Sequence, residues 1–200
     1  SLPLLSREHP DAPVFLSYGS SIIARRMLSN SISVMRRQRS ELNLQELPLY
    51  GRGDLSSLYD RMKTVPIGKP MIVEKDGRSL EVTLHHAGHI AGAVSVGIQS
   101  KKEKIFFTGD VLFNDQRTLD GAIPPLDPVD VLITETTRGS TPRDPSRQRE
   151  NEMVNLLEET RKTLSRGGSV LIPVFALGRM QEMLVVLDEA FRRKALPKVP

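Results

Sequence analysis

Short apolar runs and one long amphipathic stretch make up the start of the chain. Residues 13–17 form an apolar run that predicts a short buried strand. Ser20 or Ser21 then predicts the cap of an amphipathic helix that continues to about Arg39. The apolar side chains expected on the inner side of this helix are Ile22, Ile23, Met27, Ile32 and Met35. A strand that leads directly into a long helix is therefore expected here.

A second helix and a broken region are predicted next. Asp54 is expected to cap a helix over residues 55–62, because its carboxylate can accept a hydrogen bond from a free N–H group of the first turn. Between residues 63 and 77, proline and glycine break any long element. The next regular element predicted is a strand that begins at Leu80.

Strands dominate the middle of the chain. Residues 80–84 and 94–98 alternate apolar and polar positions, which is typical of strands with one buried face. The polar stretch 100–103 predicts a hairpin turn into a further strand at 104–108. The run at 131–133 is apolar without alternation, which predicts a strand covered on both faces.

Helical spacing replaces alternation after these strands. Asp144-Pro145 predicts an N-cap followed by proline in the first turn, and the sequence at 166–168 predicts the end of that helix. The positions that recur at helical spacing are Met153, Leu156, Leu157, Thr160 and Leu164. Residues 169–174 are expected to form a buried strand, and a second helix is expected at about 179–194. The element order predicts an α/β chain whose β-rich half ends near Arg138.

The composition of the 200 residues narrows the chemistry. Cysteine is absent, which excludes disulfides and thiolate metal sites in this segment and is typical of the cytoplasm. A metal would be held by histidine and carboxylate side chains, which suit zinc or manganese. The net charge of +4 is compatible with a polyanionic partner, although an aromatic content of 4% does not support a base-stacking platform. No apolar run approaches the roughly 18 residues that span a bilayer, so no membrane segment is expected.

Three strand ends carry the candidate chemistry. His89 lies between Gly88 and Gly92, which free the backbone to turn and to approach its neighbours closely. Asp110 and Glu135 each follow a predicted strand. Taken singly, each has a structural interpretation: a hydrogen-bonded histidine, an aspartate that caps a turn, a glutamate paired with an arginine. Taken together they predict a metal centre, because metal ligands must be fixed by rigid elements.

Three motifs together resemble those of one nuclease family: Ala87-Gly88-His89 with Gly92-Ala93, Thr108-Gly109-Asp110, and Glu135-Thr136-Thr137 with Gly139. The family is the metallo-β-lactamase-fold nucleases of the β-CASP group, which includes the endonuclease subunit of the eukaryotic pre-mRNA cleavage and polyadenylation machinery and its prokaryotic relatives. The spacings of 21 and 25 residues between His89, Asp110 and Glu135 are similar to those of this group. Residues 171–179, followed by Gln181-Glu182, also resemble a β-CASP signature, so the resemblance covers essentially the whole chain.

The resemblance implies a fold and an activity. Residues 1–138 would be a partial metallo-β-lactamase αββα sandwich, and residues 139–200 would begin a β-CASP α/β domain. The intact protein would be a zinc-dependent phosphodiesterase that hydrolyses RNA, in which two zinc ions activate a hydroxide that attacks the backbone phosphate. Single-stranded RNA is the expected substrate, and the expected partners are a second copy or the subunits of a processing complex.

The resemblance also implies residue roles. His89 is expected to bind one zinc ion, and Asp110 is expected to bridge both ions and act in catalysis. Glu135 is expected to act in catalysis by supporting a histidine that serves as general acid. Arg179 is a predicted phosphate contact, with a salt bridge at the helix start as the alternative. The neighbouring pair His85-His86 matches no ligand position and is expected to be structural.

The chain departs from the family in what it lacks. The His-x-His-x-Asp-His motif is missing, and the opening Ser1-Leu2-Pro3-Leu4-Leu5 looks like the residues just downstream of it. Two further histidines of the family are expected beyond Pro200. The chain is thus expected to be an internal segment with about half of the metal site, inactive alone. Two alternatives stay open: a non-catalytic scaffold subunit of an RNA-processing complex, or a hydrolase of the same fold that acts on DNA, a thioester or a lactone.

Overall fold

Two sheets and five helices are present in a computed structural model that describes residues 2–125, 127–137, 139–142, 144 and 148–199. The helices are α1 (Leu2–Glu8), α2 (Tyr18–Leu42), α3 (Arg52–Asp60), α4 (Arg149–Ser165) and α5 (Arg179–Arg192). The strands are β1 (Val14–Leu16), β2 (Met62–Thr64), β3 (Met71–Lys75), β4 (Arg78–His86), β5 (Val94–Gln99), β6 (Lys104–Phe107) and β7 (Val131–Ile133). The mixed α/β architecture that the sequence predicts is confirmed.

The main apolar cluster lies between α2 and α3. Its buried members are Ile32, Met35, Tyr50, Leu55 and Leu58. Leu58 is 0% exposed, and burial of one leucine side chain contributes roughly 2 kcal/mol. The first sheet lies beside this cluster, with β1 parallel to β2 and Val14 opposite Met62. The cluster therefore fixes α2 on the rest of the fold.

Helix α2 begins earlier than the sequence predicts. Its N-cap is Ser17 rather than Ser20 or Ser21, and the Ser17 Oγ accepts a hydrogen bond from the Ser20 backbone N–H at 3.1 Å. Ser17 directly follows β1 and keeps an extended backbone, so it caps the helix that begins at the next residue, Tyr18. The helix ends at Asn43, which adopts the left-handed conformation typical of a helix terminus.

Helix α3 also begins earlier than predicted. Gly51 is the N-cap, and Asp54 lies in the first turn, where its Oδ2 accepts a hydrogen bond from the Gly51 N–H at 2.7 Å. The carboxylate thus serves the helix start from inside the helix. Sequence reasoning also missed the short helix α1, and it missed the short strands β2 and β3 within the region that proline and glycine interrupt.

The second sheet brings three strand ends to one edge. Its order is β3-β4-β5-β6-β7. Strand β5 is antiparallel to both β4 and β6, and β7 is parallel to β6. Strands β4, β6 and β7 therefore run in the same direction, and their C-terminal ends lie at the same edge of the sheet.

Two predictions of buried strands are wrong within the described residues. Strand β7 forms at Val131–Ile133 as predicted, but it is the edge of the sheet and its central Leu132 is 57% exposed. Residues 169–174 form no strand, and Leu171 is 92% exposed. An apolar run becomes a buried strand only where another strand accepts its backbone hydrogen bonds and another layer covers it.

The two C-terminal helices agree more closely with the sequence. Helix α4 starts after Gln148, so Asp144 is not its N-cap; Pro145 lies outside the described residues. The helix ends at Arg166 as predicted, and α5 begins at Arg179 as predicted. The predicted domain boundary falls on Arg138, which is also outside the described residues, and it stays a prediction. None of the helices described is long and apolar enough to cross a membrane.

Candidate metal centre

The loop after β4 packs closely against neighbouring backbone at two glycines. Gly88 has a φ of +65°, and a Cβ added there would lie 2.2 Å from the Leu112 carbonyl oxygen. Gly92 has a φ of +83°, and a Cβ added there would lie 2.4 Å from the Ser20 backbone nitrogen. A side chain is excluded at both positions by backbone conformation and by space. The close backbone approach expected on either side of His89 is confirmed.

The start of α2 anchors the far end of this loop. The hydroxyls of Ser17 and Ser20 each donate a hydrogen bond to the Gly92 carbonyl oxygen at 2.7 Å. Helix α2 is fixed in turn by the main apolar cluster. The loop that carries His89 is therefore joined to a rigid helix.

Gln116 fixes the middle of the loop. Its Nε2 donates hydrogen bonds to the carbonyl oxygens of Gly88 at 2.5 Å and His89 at 3.1 Å. Its Oε1 accepts a hydrogen bond from an Arg179 terminal nitrogen at 2.6 Å. Sequence reasoning missed Gln116, since a lone glutamine after a strand carries no signal of such a contact. Gln116 links the loop to the start of α5.

His89 and Asp110 meet at the edge where the strands end. The His89 Nε2 lies 3.9 Å from the Asp110 Oδ2. Their side chains are 37% and 73% exposed, so the pair is open to solvent on one side. Two residues 21 positions apart in the chain therefore present an imidazole nitrogen and a carboxylate oxygen to the same point.

Glu135 lies beside this pair. Its Oε1 accepts a hydrogen bond from the Val111 backbone N–H at 2.9 Å, and Val111 directly follows Asp110. Hydrogen bonds from Thr137 and then from Val111 hold the pKa of the Glu135 carboxyl below its ordinary value, and the charge of His89 adds a smaller effect. Glu135 is therefore a carboxylate at neutral pH.

Two hydrogen bonds join the strands that lead to these side chains. The buried Ser95 Oγ donates to the Thr108 carbonyl oxygen at 2.8 Å, which ties β5 to the end of β6. The Thr108 N–H donates to the Ile133 carbonyl oxygen at 2.9 Å, which ties β6 to β7. The segments that lead to Asp110 and Glu135 are thus fixed relative to each other.

The donor set fits part of a zinc site. Imidazole nitrogen and carboxylate oxygen are zinc ligands, and two ligands of one tetrahedral ion lie roughly 3.4 Å apart at usual bond lengths. The His89–Asp110 separation of 3.9 Å needs only a small rotation of the exposed carboxylate. Within the described part of the chain, no group of three or more potential ligands comes together. His89 and Asp110 therefore fit two of the four positions around a zinc ion.

Arg179 forms a salt bridge with Glu182. This is the alternative that the sequence analysis gives to a phosphate contact. The Arg179 terminal nitrogen lies 3.2 Å from the Glu182 Oε2, and the Arg179 side chain is 39% exposed. Glu182 is only 1% exposed and also accepts hydrogen bonds from the Arg149 guanidinium and the Arg117 backbone N–H. The phosphate contact stays a prediction.

Glu182 is a second residue that sequence reasoning missed. It joins α4, α5 and the segment after β6 through the three contacts just described. Its spacing carries a signal, because Glu182, Val186 and Ala190 are four residues apart on α5 and all are buried. An acidic side chain on the inner face of a helix requires a cationic partner.

The two histidines at the end of β4, His85 and His86, make other contacts. The His85 ring packs edge-on against Phe106 with ring centroids 5.5 Å apart, and partial burial lowers the pKa of His85. The His86 carbonyl oxygen accepts a hydrogen bond from the Ile123 N–H at 3.2 Å. The ring packing of His85 is a structural contact, and the structural role expected for His86 stays a prediction.

Comparison with known proteins finds relatives along nearly the whole chain. Endoribonuclease YSH1 of Eremothecium gossypii is 33% identical over 197 residues, which are 98% of this chain and 25% of that protein. Endoribonuclease YSH1 of Saccharomyces cerevisiae is 33% identical over 199 residues, 98% of this chain and 24% of that protein. Cleavage and polyadenylation specificity factor 73 of Drosophila melanogaster is 35% identical over 176 residues, 88% of this chain and 24% of that protein.

No protein-family model matches the chain. The chain spans about a quarter of the length of the curated relatives it matches. Identity of 33% to 35% over most of the chain confirms the predicted resemblance: the chain is similar to a segment that makes up about a quarter of these relatives.

Proposed function

We propose that the intact protein is a zinc-dependent phosphodiesterase that hydrolyses RNA. The observation that carries this proposal is the approach of His89 to Asp110, 3.9 Å apart, beside the Glu135 carboxylate. The three side chains come from three different strand ends of one sheet. The relatives at 33% to 35% identity are named endoribonucleases or a cleavage factor, and this supports RNA as the substrate.

In this proposal His89 and Asp110 hold the metal. The His89 imidazole and the Asp110 carboxylate would hold zinc, and Asp110 would contribute to both ions. When bound, zinc supplies Lewis acidity, which lowers the pKa of water and neutralises charge on a phosphate. The described residues supply two donors where zinc takes four, so the remaining donors are proposed to come from other parts of the intact protein.

Glu135 is assigned a supporting role in proton transfer. Its carboxylate is charged at neutral pH, since its pKa lies below the ordinary value. A carboxylate fixed by backbone N–H groups can hold a protonated imidazole in one orientation through a charge-assisted hydrogen bond. The proposal is that Glu135 orients a histidine that donates a proton to the leaving oxygen.

The finer predictions belong to the same proposal. They are the αββα sandwich, its division from a β-CASP domain near residue 138, a narrow cleft for single-stranded RNA, and a cytoplasmic location. The Drosophila relative is named as a cleavage and polyadenylation specificity factor, and this supports a place in an RNA-processing complex.

Cleavage of labelled RNA by the intact, zinc-loaded protein tests the proposal. His89→Ala and Asp110→Asn should each lower the cleavage rate by at least about 100-fold, since loss of even an outer partner of a metal ligand costs about 10- to 100-fold. A chelator should abolish cleavage, and added zinc should restore it. His9→Ala and Asp11→Asn are matched controls, because both residues are exposed and their side chains have no described contact with the metal centre.

Two results would refute the proposal. Cleavage that persists in His89→Ala or in excess chelator would remove the assigned metal site. Binding of RNA without cleavage by the zinc-loaded protein would favour the scaffold alternative.

A further inference from the structure

A basic groove runs between α2 and α3, on a part of the fold that the proposed metal centre does not use. Its volume is about 1010 Å³, and its cationic lining residues are Arg25, Arg26, Arg36 and Arg52. No lining residue of this arginine groove is acidic, and its other polar lining residues are serines, one asparagine and one tyrosine. Four guanidinium groups around one concave surface create a strong positive potential.

The charges of the arginine groove are not neutralised by neighbours. Arg26, Arg36 and Arg52 are exposed, and no carboxylate among the described residues lies within ion-pair distance of any of them. Arg37, the next residue on α2, lies outside the groove and pairs with Glu41 at 3.8 Å. Two adjacent arginines of α2 thus differ. Arg37, outside the groove, forms an ion pair, whereas Arg36, inside it, is available to a ligand.

Arg25 and Tyr59 form a rigid wall of the groove. The Arg25 guanidinium lies over the Tyr59 ring, 4.6 Å from its centroid, and the Tyr59 hydroxyl donates to the Arg25 carbonyl oxygen at 3.0 Å. These contacts fix the orientation of one cationic group before any ligand binds. A cation held in place in this way costs less entropy on binding than a free side chain.

One face of α2 connects the groove to the metal centre. Tyr18, Ile22, Arg25, Ser29 and Arg36 recur at helical spacing, so they share that face. Tyr18 is 73% exposed and lines a cavity together with Gly88 and Gly92 of the loop that carries His89. At about 1.5 Å per residue, Arg25 and Arg36 lie roughly 10 and 27 Å along the helix from Tyr18.

We propose that the arginine groove binds the phosphate backbone of RNA outside the cleavage site, so that a long substrate continues along α2 from the metal centre. The inference rests on the proposed function. Guanidinium groups match phosphate oxygens with paired hydrogen bonds, and each neutralised phosphate releases a counterion. The groove favours RNA over an acidic peptide because it continues on the same helix face that borders the proposed catalytic loop.

The test compares long and short RNA on the intact protein. At a stacked spacing of about 3.4 Å, an RNA of about 4 nucleotides is too short to reach Arg36 from the metal centre, whereas one of about 30 covers the groove. The double variant Arg36→Gln/Arg52→Gln should bind the long RNA about 10- to 100-fold more weakly. The slope of log affinity against log salt concentration should fall by about 1.4, or about 0.7 per lost phosphate contact. Cleavage of the short RNA should be unchanged, which also shows that the variant is folded.

The double variant Arg37→Gln/Arg192→Gln is the matched control. It removes the same charge from two exposed arginines that pair with Glu41 and Asp188 outside the groove. If both double variants lose the same affinity for the long RNA, the inference is overturned, because only the overall charge of the protein would then matter. Unchanged RNA affinity in Arg36→Gln/Arg52→Gln, with loss of polyglutamate binding, would overturn it in favour of an acidic protein partner. If the unaltered protein cuts neither RNA, the proposed function is refuted. This result is independent of whether the long RNA binds to the arginine groove.

Discussion

The loop at residues 86–93 is rich in glycine and alanine, whereas the segment at residues 169–175 is rich in large apolar residues, and the surroundings of the two differ as well. In the loop, a Cβ on Gly88 or Gly92 would meet backbone atoms at 2.2 and 2.4 Å. In the segment, the side chains of Leu171 and Phe175 are 92% and 83% exposed. The loop is enclosed by the start of α2 and by the residues after β6, whereas the described chain places no strand beside the segment.

The difference shows what each kind of sequence pattern depends on. A glycine loop is fixed by its own tight turns and by neighbours that the sheet brings close, so its geometry is complete within this chain. An apolar run becomes a strand only if another strand accepts its backbone hydrogen bonds. Changes in the loop should therefore have large effects, and changes in the segment should have small ones.

The largest effect is expected for Gly88→Ala. The left-handed φ and the 2.2 Å approach to the Leu112 carbonyl oxygen should together cost about 3 to 5 kcal/mol in the free energy of unfolding. Gly77→Ala separates the two causes, because Gly77 has a φ of +72° but no atom within 4 Å of its added Cβ. Urea unfolding should show a loss of about 1 kcal/mol for this control. Equal losses in both variants would mean that the contact at Gly88 is unimportant.

A smaller loss is expected for Glu182→Leu. The change leaves Arg149 and Arg179 without their carboxylate, and it should cost about 2 to 3 kcal/mol. This is less than for a fully buried pair, because the two arginine side chains are 33% and 39% exposed and water screens them. Glu158→Leu on the exposed face of α4 should change stability by no more than about 0.5 kcal/mol. A Glu182 variant as stable as this control would contradict the role of Glu182 in joining α4 and α5.

Ser95→Ala should have a moderate effect. The Ser95 hydroxyl is buried and bonds the Thr108 carbonyl oxygen at 2.8 Å, so its loss should cost about 1 kcal/mol. Ser79→Ala, at an exposed position of β4, provides the comparison and should be neutral within about 0.5 kcal/mol. Thermal unfolding of the two variants measures the difference, and no difference would show that this bond does not stabilise the sheet.

The smallest effect is expected for Leu171→Ala. Because Leu171 is 92% exposed, stability should change by no more than about 0.5 kcal/mol. Leu84→Ala is the matched change on β4, where the side chain is 5% exposed, and it should cost about 2 to 4 kcal/mol. Urea unfolding that gave a loss of several kcal/mol for Leu171→Ala would show that the segment is covered by a partner.

The sequence predicts those parts of the fold that depend on neighbours close along the chain. The helix at Arg179 and the strands at 94–98 and 104–108 have clear spacing, and the structure confirms them. Helix starts are less certain, because several residues can serve as caps: Ser17 competes with Ser20, and Asp54 stabilises its helix from inside the first turn.

The residues of the candidate site also fall into two groups, those that the sequence predicts and those that it does not. His89, Asp110 and Glu135 are visible in the sequence as polar residues after strands, and the resemblance assigns their roles. Gln116 and Glu182 are not visible in this way, because their importance comes from contacts 27 and 65 residues away. Such long-range hydrogen bonds depend on how the sheet and the helices pack. A local sequence pattern does not predict this packing.

The most direct test is the position of zinc in a crystal structure of the intact protein, located by its anomalous scattering. We predict a zinc ion bonded to both the His89 Nε2 and an Asp110 carboxylate oxygen at about 2.0 to 2.2 Å. Zinc bound elsewhere in the protein, or bound here with neither side chain as a ligand, would contradict the proposed metal centre.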